Sequence, residues 1–342
     1  MKKMTLKRQD GFSLIELLIV MALLGVVLSI SSDTFSLILG HSTQQAKTAE
    51  AQMERAVGIE LLRTDIEHAG FGLPWSFQGG INYDEAASGT LNDSPNNLPR
   101  ALVSTNNKGW NGSDYLVIKA TNVGMSDASQ RWSYIIDDIG TPKVWGANNF
   151  AGGDGVIIVR PEGSDNVARQ LVMSGGNFSV SYGALGGFSP QRDDVIYGVD
   201  DNAPLRMPFN RADYYINRPA TIPSTCAPNT GVLYKATVNR ANGGLTSYPI
   251  LDCVADLQVI FDNNGVPTDD ITLLTAQEIR EQVREVRVYI LTHEGQMDLK
   301  YTYPNNTVTV GEFGLGSDFD VSGQLNYRWK VIQLVVRPKN LR

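Results

Sequence analysis

Thiols and imidazoles are scarce in this chain. Its 342 residues hold two cysteines, Cys226 and Cys253, and three histidines, His41, His68 and His293. No histidine stands at metal-ligand spacing to another histidine or cysteine, and two cysteines fall short of a structural zinc site. The three histidines therefore read as surface polar residues. Positive charge is also short: 29 Lys and Arg stand against 36 Asp and Glu, a net charge of −7. That balance argues against nucleic-acid binding driven by bulk charge. There is no Gly-x-Ser-x-Gly, no phosphate-binding glycine loop and no paired-carboxylate motif. The expectation is a protein with no catalytic residue, no cofactor and no metal. Asp262-Asn263-Asn264-Gly265 with Asp269 and Asp270 has the flavour of a calcium loop. Its glycine comes too early for EF-hand spacing and no glutamate closes it, so it reads as a solvated hairpin turn.

Long apolar runs are missing too, with one exception at the N-terminus. From Phe12 to Ser32 a single charge, Glu16, interrupts 21 otherwise uncharged residues. As a helix the run spans about 30 Å, the thickness of a bilayer core. Lys2, Lys3, Lys7 and Arg8 precede it against one acid, Asp10, and the next base is Lys47. That asymmetry puts the N-terminus in the cytoplasm and the body outside. A secretory signal has a shorter apolar region and a small-residue cleavage site, which Leu28-Ser29-Ile30-Ser31 matches poorly. A plain anchor fits the length but leaves Glu16 unexplained, since an intramembrane carboxylate costs roughly 2–3 kcal/mol without a partner.

Gly11-Phe12-Ser13-Leu14-Ile15-Glu16, behind a basic leader and ahead of an apolar helix, resembles the class III signal of type IV pilins and pseudopilins. The resemblance implies cleavage by a prepilin peptidase between Gly11 and Phe12, and methylation of the new N-terminus at Phe12. It also implies a subunit-assembly role for Glu16, whose carboxylate would neutralise the Phe12 ammonium of a neighbouring subunit. The organisation it implies is a leader over 1–11, a pilin helix over 12–70 with its membrane span at 12–32, and a β-rich globular domain over 71–342. The fold class is α+β, pilin-like. Loss of the leader removes four bases and one acid and leaves a net charge of −10.

Beyond the apolar run the stretch 41–70 turns amphipathic. Ala46, Ala49, Met53, Val57, Leu61, Leu62, Ile66 and Ala69 recur at spacings of three and four. Gln45, Lys47, Glu50, Glu54, Arg55, Glu60, Arg63 and Glu67 fall on the other side. Asp33 and Gly40 are interruptions, and Gly40 is a place where the helix could loosen. Gly70 is placed as a C-cap and Pro74 forbids continuation.

After Pro74 the period changes. Strands are expected at 114–121, 132–138, 155–161, 231–238, 253–262, 284–293 and 327–338, all β-branched or aromatic-rich, with Asn, Gly, Asp and Pro clusters between them. Thr275-Ala276-Gln277-Glu278 fits a capping box and predicts one further helix. The stretches 112–119 and 152–160 look alike, by duplication or by coincidence. Trp132 with Tyr134, and Tyr214 with Tyr215, belong either to an adhesive aromatic patch or to strand cores or edges. One elaborated domain and two sub-domains both fit the body. Cys226 and Cys253, in a chain whose body leaves the cytoplasm, are expected to form a disulfide that contributes about 3.5 kcal/mol in the chain-entropy model.

Within the family, three stretches resemble the large PilW-type minor pilins: "LLRTDIEHAGFGLP" (61–74), "ILDCVADLQVIFD" (250–262) and "VREVRVYILTHEG" (283–295). This implies a low-abundance subunit that initiates the filament with other minor and major pilins, near its tip and next to a large tip adhesin. It would be stored in the inner membrane with a periplasmic body and then move to the cell-surface pilus. The J-type pseudopilin of type II secretion shares the signal but is shorter. A membrane-anchored adhesin or hydrolase is the reading outside the family. The resemblance does not reach the long middle, roughly 75–225.

Overall fold

The computed structural model describes residues 13–77, 80–162, 168–200 and 205–341. Helix α1 runs unbroken from Leu14 to Glu67. The chain divides between Met53 and Glu54 into two units, each of which contains part of this helix. In the first unit neither Asp33 nor Gly40 breaks the helical backbone. Thr34 donates its hydroxyl to the Ile30 carbonyl at 2.8 Å, the local back-bond that lets a threonine sit inside a helix. Every side chain from Ser13 to Ser32 is exposed.

The second unit takes in the rest of α1 and all the β structure. Its strands are β1 (Ser76–Phe77), β2 (Leu102–Thr105), β3 (Tyr115–Ala120), β4 (Trp132–Tyr134), β5 (Gly155–Glu162), β6 (Ala168–Leu171), β7 (Val180–Ser181) and β8 (Val195–Asp200). They continue as β9 (Asn210–Asn217), β10 (Gly231–Val238), β11 (Leu245–Asn263), β12 (Val266–Thr268), β13 (Val283–Glu294), β14 (Thr307–Val310), β15 (Ser317–Asp320) and β16 (Arg328–Val336), with α2 (Ala276–Gln282) between β12 and β13. A large antiparallel sheet has the order β16-β13-β11-β10-β9-β3-β2, with β12 paired to β11. A smaller sheet has the order β1-β6-β5-β8-β4, with β7 on β5, and β14 and β15 form a separate hairpin. A long N-terminal helix followed by a large β-rich domain is the architecture expected from sequence.

One core holds this unit together. Leu62 and Ile66 of α1 share it with Leu233, Leu257 and Val259 of the large sheet and with Ile157, Val159 and Leu171 of the small one. The core draws on both sheets, and the chain from Glu54 on forms one compact unit. Among the described residues three smaller clusters lie beyond this core, one of them Leu91, Val103 and Val117. Tyr289, Leu291 and Ile260 pack under the β14–β15 hairpin, and Val156, Ile158 and Ile196 pack on the other side of the small sheet. β5 is therefore buried on both faces, which is why 155–161 reads as a continuous apolar run.

The predicted helix at 276 is present with its capping box. Thr275 Oγ1 accepts from the Glu278 amide at 3.2 Å, and Glu278 Oε2 accepts from the Thr275 amide at 2.8 Å. The seven expected strands are all found, several with shifted ends. The look-alike stretches 112–119 and 152–160 lie in different sheets, at β3 and β5. β9, which contains Tyr214 and Tyr215, takes the strand reading of that stretch and was not among the seven expected strands; the reason is chemical. It opens on Asn210, Arg211 and Asp213, polar residues that a central strand excludes unless they are paired. Arg211 lies 2.6 Å from Asp213 and 3.0 Å from Glu85, and Lys119 on β3 lies 2.7 Å from Glu85 and 2.6 Å from Asp93. The segment 80–101 has no regular strand of its own, and this network ties it to the sheet.

Candidate assembly interface

Over Leu14–Ser32 α1 presents exposed, mostly apolar side chains. Leu14–Ser32 has a mean hydropathy of 2.6 and is long and apolar enough, by length and composition, to cross a membrane. Glu16 sits in the first helical turn and is exposed, between Ile15 and Leu17, which are exposed as well. Among the described residues Glu16 has no ion-pair partner. An acid in the first turn interacts favourably with the helix dipole, but that effect is small beside the cost of a bare carboxylate in lipid. Gly11 and Phe12, the residues expected to be cut and methylated, lie outside the described residues.

The C-terminal part of α1, from Glu54 on, is built to lie on the large sheet. Gly58 is the point of closest approach: a Cβ there would stand 2.1 Å from the Ile250 carbonyl oxygen of β11. Leu62, Ile66 and Ala69 are fully buried below it. Asp65, between two of them, is buried too. Its Oδ2 lies 2.6 Å from Lys235 Nζ on β10 and accepts the Tyr214 hydroxyl of β9 at 2.6 Å. Burial raises the Asp65 pKa, and the Lys235 charge opposes that rise. Arg55 donates from Nη2 to the His293 carbonyl. The helix end is fixed by backbone bonds. The Lys339 amide donates to the Glu67 carbonyl at 2.8 Å, and the amide of Gly70, whose φ is +83°, donates to the Lys119 carbonyl at 3.0 Å.

Two of the expected helix positions are corrected here. Val57, expected in the apolar stripe, is 71% exposed. Arg55, expected on the polar side, is half-buried against β13. The stripe turns between Gly58 and Leu62, because the glycine rather than the valine meets the sheet. The side chains of Ala46, Ala49 and Met53 lie outside the described set. Asp65, Lys235 and Gly58 dock the helix and were not among the expected site residues. The glycine carried the usable signal, since a helix interior accepts one when another backbone comes close.

Cys226, in the loop before β10, is joined to Cys253 on β11. Cys253 has φ +57° at a point where the β10–β11 pairing slips register, a bulge that turns its side chain toward the loop. His293 of β13 is next to it and is a further correction, because it is fully buried rather than a surface residue. Its Nε2 accepts from the Ala227 amide at 2.9 Å, so Nδ1 carries the proton and donates to the Gly295 carbonyl at 3.1 Å. Tyr327 and Trp329 close over the ring, with centroids 4.7 and 5.4 Å away. Burial, helped by the Arg55 charge, lowers its pKa to about 4. Tyr214, considered for an adhesive patch, is buried in the core. Tyr215 stacks on Tyr115 with centroids 5.1 Å apart. Trp132 remains 44% exposed beside Trp145, with centroids 5.4 Å apart. Asn264 and Gly265, both at positive φ, are the hairpin turn between β11 and β12, and Asp262 and Asn263 end β11.

Residues 6–32 match the family described as the prokaryotic N-terminal methylation motif. Among solved structures the chain is similar to the type IV-like pilin TTHA1219 from Thermus thermophilus, at 10% identity and a TM-score of 0.32, over 85% of this chain and 97% of that one. A search of curated proteins gave no match.

Proposed function

We propose that this chain, a type IV pilin-like protein by its N-terminal motif, is a minor pilin that helps initiate a filament and sits at or near its tip. The observation that carries the reading is the exposed carboxylate of Glu16, the one charge in the otherwise uncharged and exposed span Leu14–Ser32. In a membrane or a helix bundle that carboxylate is tolerable when an amine neutralises it. Cleavage after Gly11 frees an amine at Phe12. On this reading the amine that meets Glu16 comes from the next subunit. The pair selects one axial register. The role is structural, and the partners are the prepilin peptidase, the membrane, and other pilins through α1.

The PilW-type assignment rests on three stretches that are neighbours in the fold. β11 and β13 pair antiparallel, with Leu257 opposite Ile290, and the 61–74 segment begins in the helix end that packs on that sheet. A body of this size favours an end position, because lateral packing along a shaft limits subunit width. Mass spectrometry of the chain recovered from pilus-forming cells tests the reading. A mature N-terminus at methylated Phe12 is expected, and an intact Met1 or a cut near Ser31 sinks it. Recovery of the chain from sheared filaments, in amounts far below the major subunit, tests the minor role.

A further inference from the structure

Trp75 lies just beyond the end of α1, and two cations from distant parts of the body converge on it. The Arg169 guanidinium carbon, on β6, is 4.6 Å from the ring centroid, and that of Arg280, on α2, is 4.3 Å away. The Trp75 amide donates to the Arg169 carbonyl at 2.7 Å, and all three residues are half-buried. The indole face attracts both guanidiniums, but an aromatic quadrupole does not neutralise two charges.

Other buried cations of this body are neutralised by carboxylates: Lys119 by Glu85 and Asp93, Arg211 by Glu85 and Asp213, and Lys235 by Asp65. Arg169 and Arg280 are different. Among the described residues neither has an ion-pair partner. Arg169 Nη1 is buried with no hydrogen-bond acceptor, a donor left unsatisfied where water does not reach it. Glu281 follows Arg280 in sequence, but its Oε1 accepts from Gln277 at 2.9 Å. Burial holds the Arg280 pKa below its ordinary value; Glu281 opposes that and Arg169 adds to it.

We infer that Arg169, Arg280 and Trp75 form a binding site for an oxyanion of the phosphate class. Guanidinium forks match the oxygen spacing of such a group, and two forks match its double charge. The indole holds the two guanidinium planes in place, and Arg169 Nη1 is the donor left without an acceptor there. A single carboxylate would leave one of the two positive charges unbalanced. The overall charge of −7 gives no general attraction for anions, so affinity has to arise at this point.

Calorimetric titration of the full-length chain in detergent, with inorganic phosphate as the probe, tests the inference. Saturable binding at one site is expected, with a thermal midpoint that rises as phosphate is added. Arg280→Gln and Arg169→Gln should each weaken binding about tenfold or more. Arg280→Lys, which keeps the charge but loses the fork, should fall between Arg280→Gln and the wild-type chain. If Arg169→Gln fails to fold, the two Arg280 variants carry the test. A parallel titration with glycerol 3-phosphate separates the sources: tighter binding than inorganic phosphate assigns the site to a phosphate on an organic carrier, and weaker binding assigns it to the free ion. Absence of saturable binding to either probe, or equal affinity in the wild-type chain and the arginine variants, overturns the inference.

Discussion

Two carboxylates on one helix meet different fates. Asp65 is buried, and its chain supplies what it needs: Lys235 at 2.6 Å and the Tyr214 hydroxyl at 2.6 Å. Glu16 sits in the most apolar part of the same helix, and no described residue answers it. A carboxylate out of water needs a cation and hydrogen-bond donors wherever it lies. The Asp65 pair fastens the helix to its own sheet, an intramolecular use of that rule. On our proposal Glu16 keeps its demand open, and another subunit meets it.

The largest effect on filament assembly should come from Glu16. Glu16→Ala should leave cleavage after Gly11 intact and lower incorporation into filaments roughly tenfold or more, since one unneutralised charge in lipid costs about 2.5–3.5 kcal/mol. Immunoblots of sheared filaments and of membranes would measure both quantities. Normal incorporation would break the comparison from the Glu16 side.

The other side is tested by Asp65. Asp65→Ala leaves Lys235 buried and alone and should lower unfolding stability by about 3–5 kcal/mol, while a paired Asp65→Leu, Lys235→Met change should come close to neutral. Urea unfolding of the detergent-solubilised chain would measure both. A single variant as mild as a surface substitution would mean that Asp65 is not held as its geometry implies.

How much of this was legible in the sequence depended on whether the physics was local. The apolar run, its acid, the capping box at Thr275 and the β-branched strands are local patterns, and each was found. The disulfide followed from a count of two cysteines. What escaped notice depends on contacts between distant residues. β9 reads as a strand only as an alternative at Tyr214 and Tyr215, because Arg211 and Asp213 make sense only once Glu85, 126 residues away in sequence from Arg211, is placed beside them. His293 ends an apolar strand and reads as exposed; Tyr327 and Trp329, from a later segment, bury it. Arg55 reads as solvent-facing because nothing nearby in sequence reveals the β13 carbonyl it reaches. At the candidate interface Glu16 was evident from its isolation, whereas Gly58, Asp65 and Lys235 emerge only when the helix is laid on the sheet.

The disulfide sharpens the comparison at the next scale down. Cys226 and Cys253 secure the loop beside His293 and Arg55, on the helix-docking side of the story. Replacing both with serine should lower stability by about 3.5 kcal/mol in the chain-entropy model. Filament incorporation of the surviving folded fraction should be unchanged, because the Glu16 end of the helix is untouched. A loss of incorporation greater than the loss of folded chain would mean that the two ends are coupled.

The smallest effect expected is a pH dependence, again confined to the body. His293 in the folded chain has a pKa of about 4, below the ordinary histidine value near 6.5. Between those values the unfolded chain binds a proton that the folded chain does not, so this group's contribution to stability is present above about pH 6.5 and is lost as the pH falls toward 4. Protonation would remove the acceptor that holds the Ala227 amide and would place a second cation beside Arg55. His293→Gln, which titrates nowhere in this range, should flatten that part of the stability profile by on the order of 2 kcal/mol between pH 7 and pH 4. Urea midpoints of both chains across that range would show it. Parallel profiles for the two chains would mean that the imidazole is already charged, or already hydrated, in the folded protein, and its assignment as a neutral acceptor for Ala227 would fall.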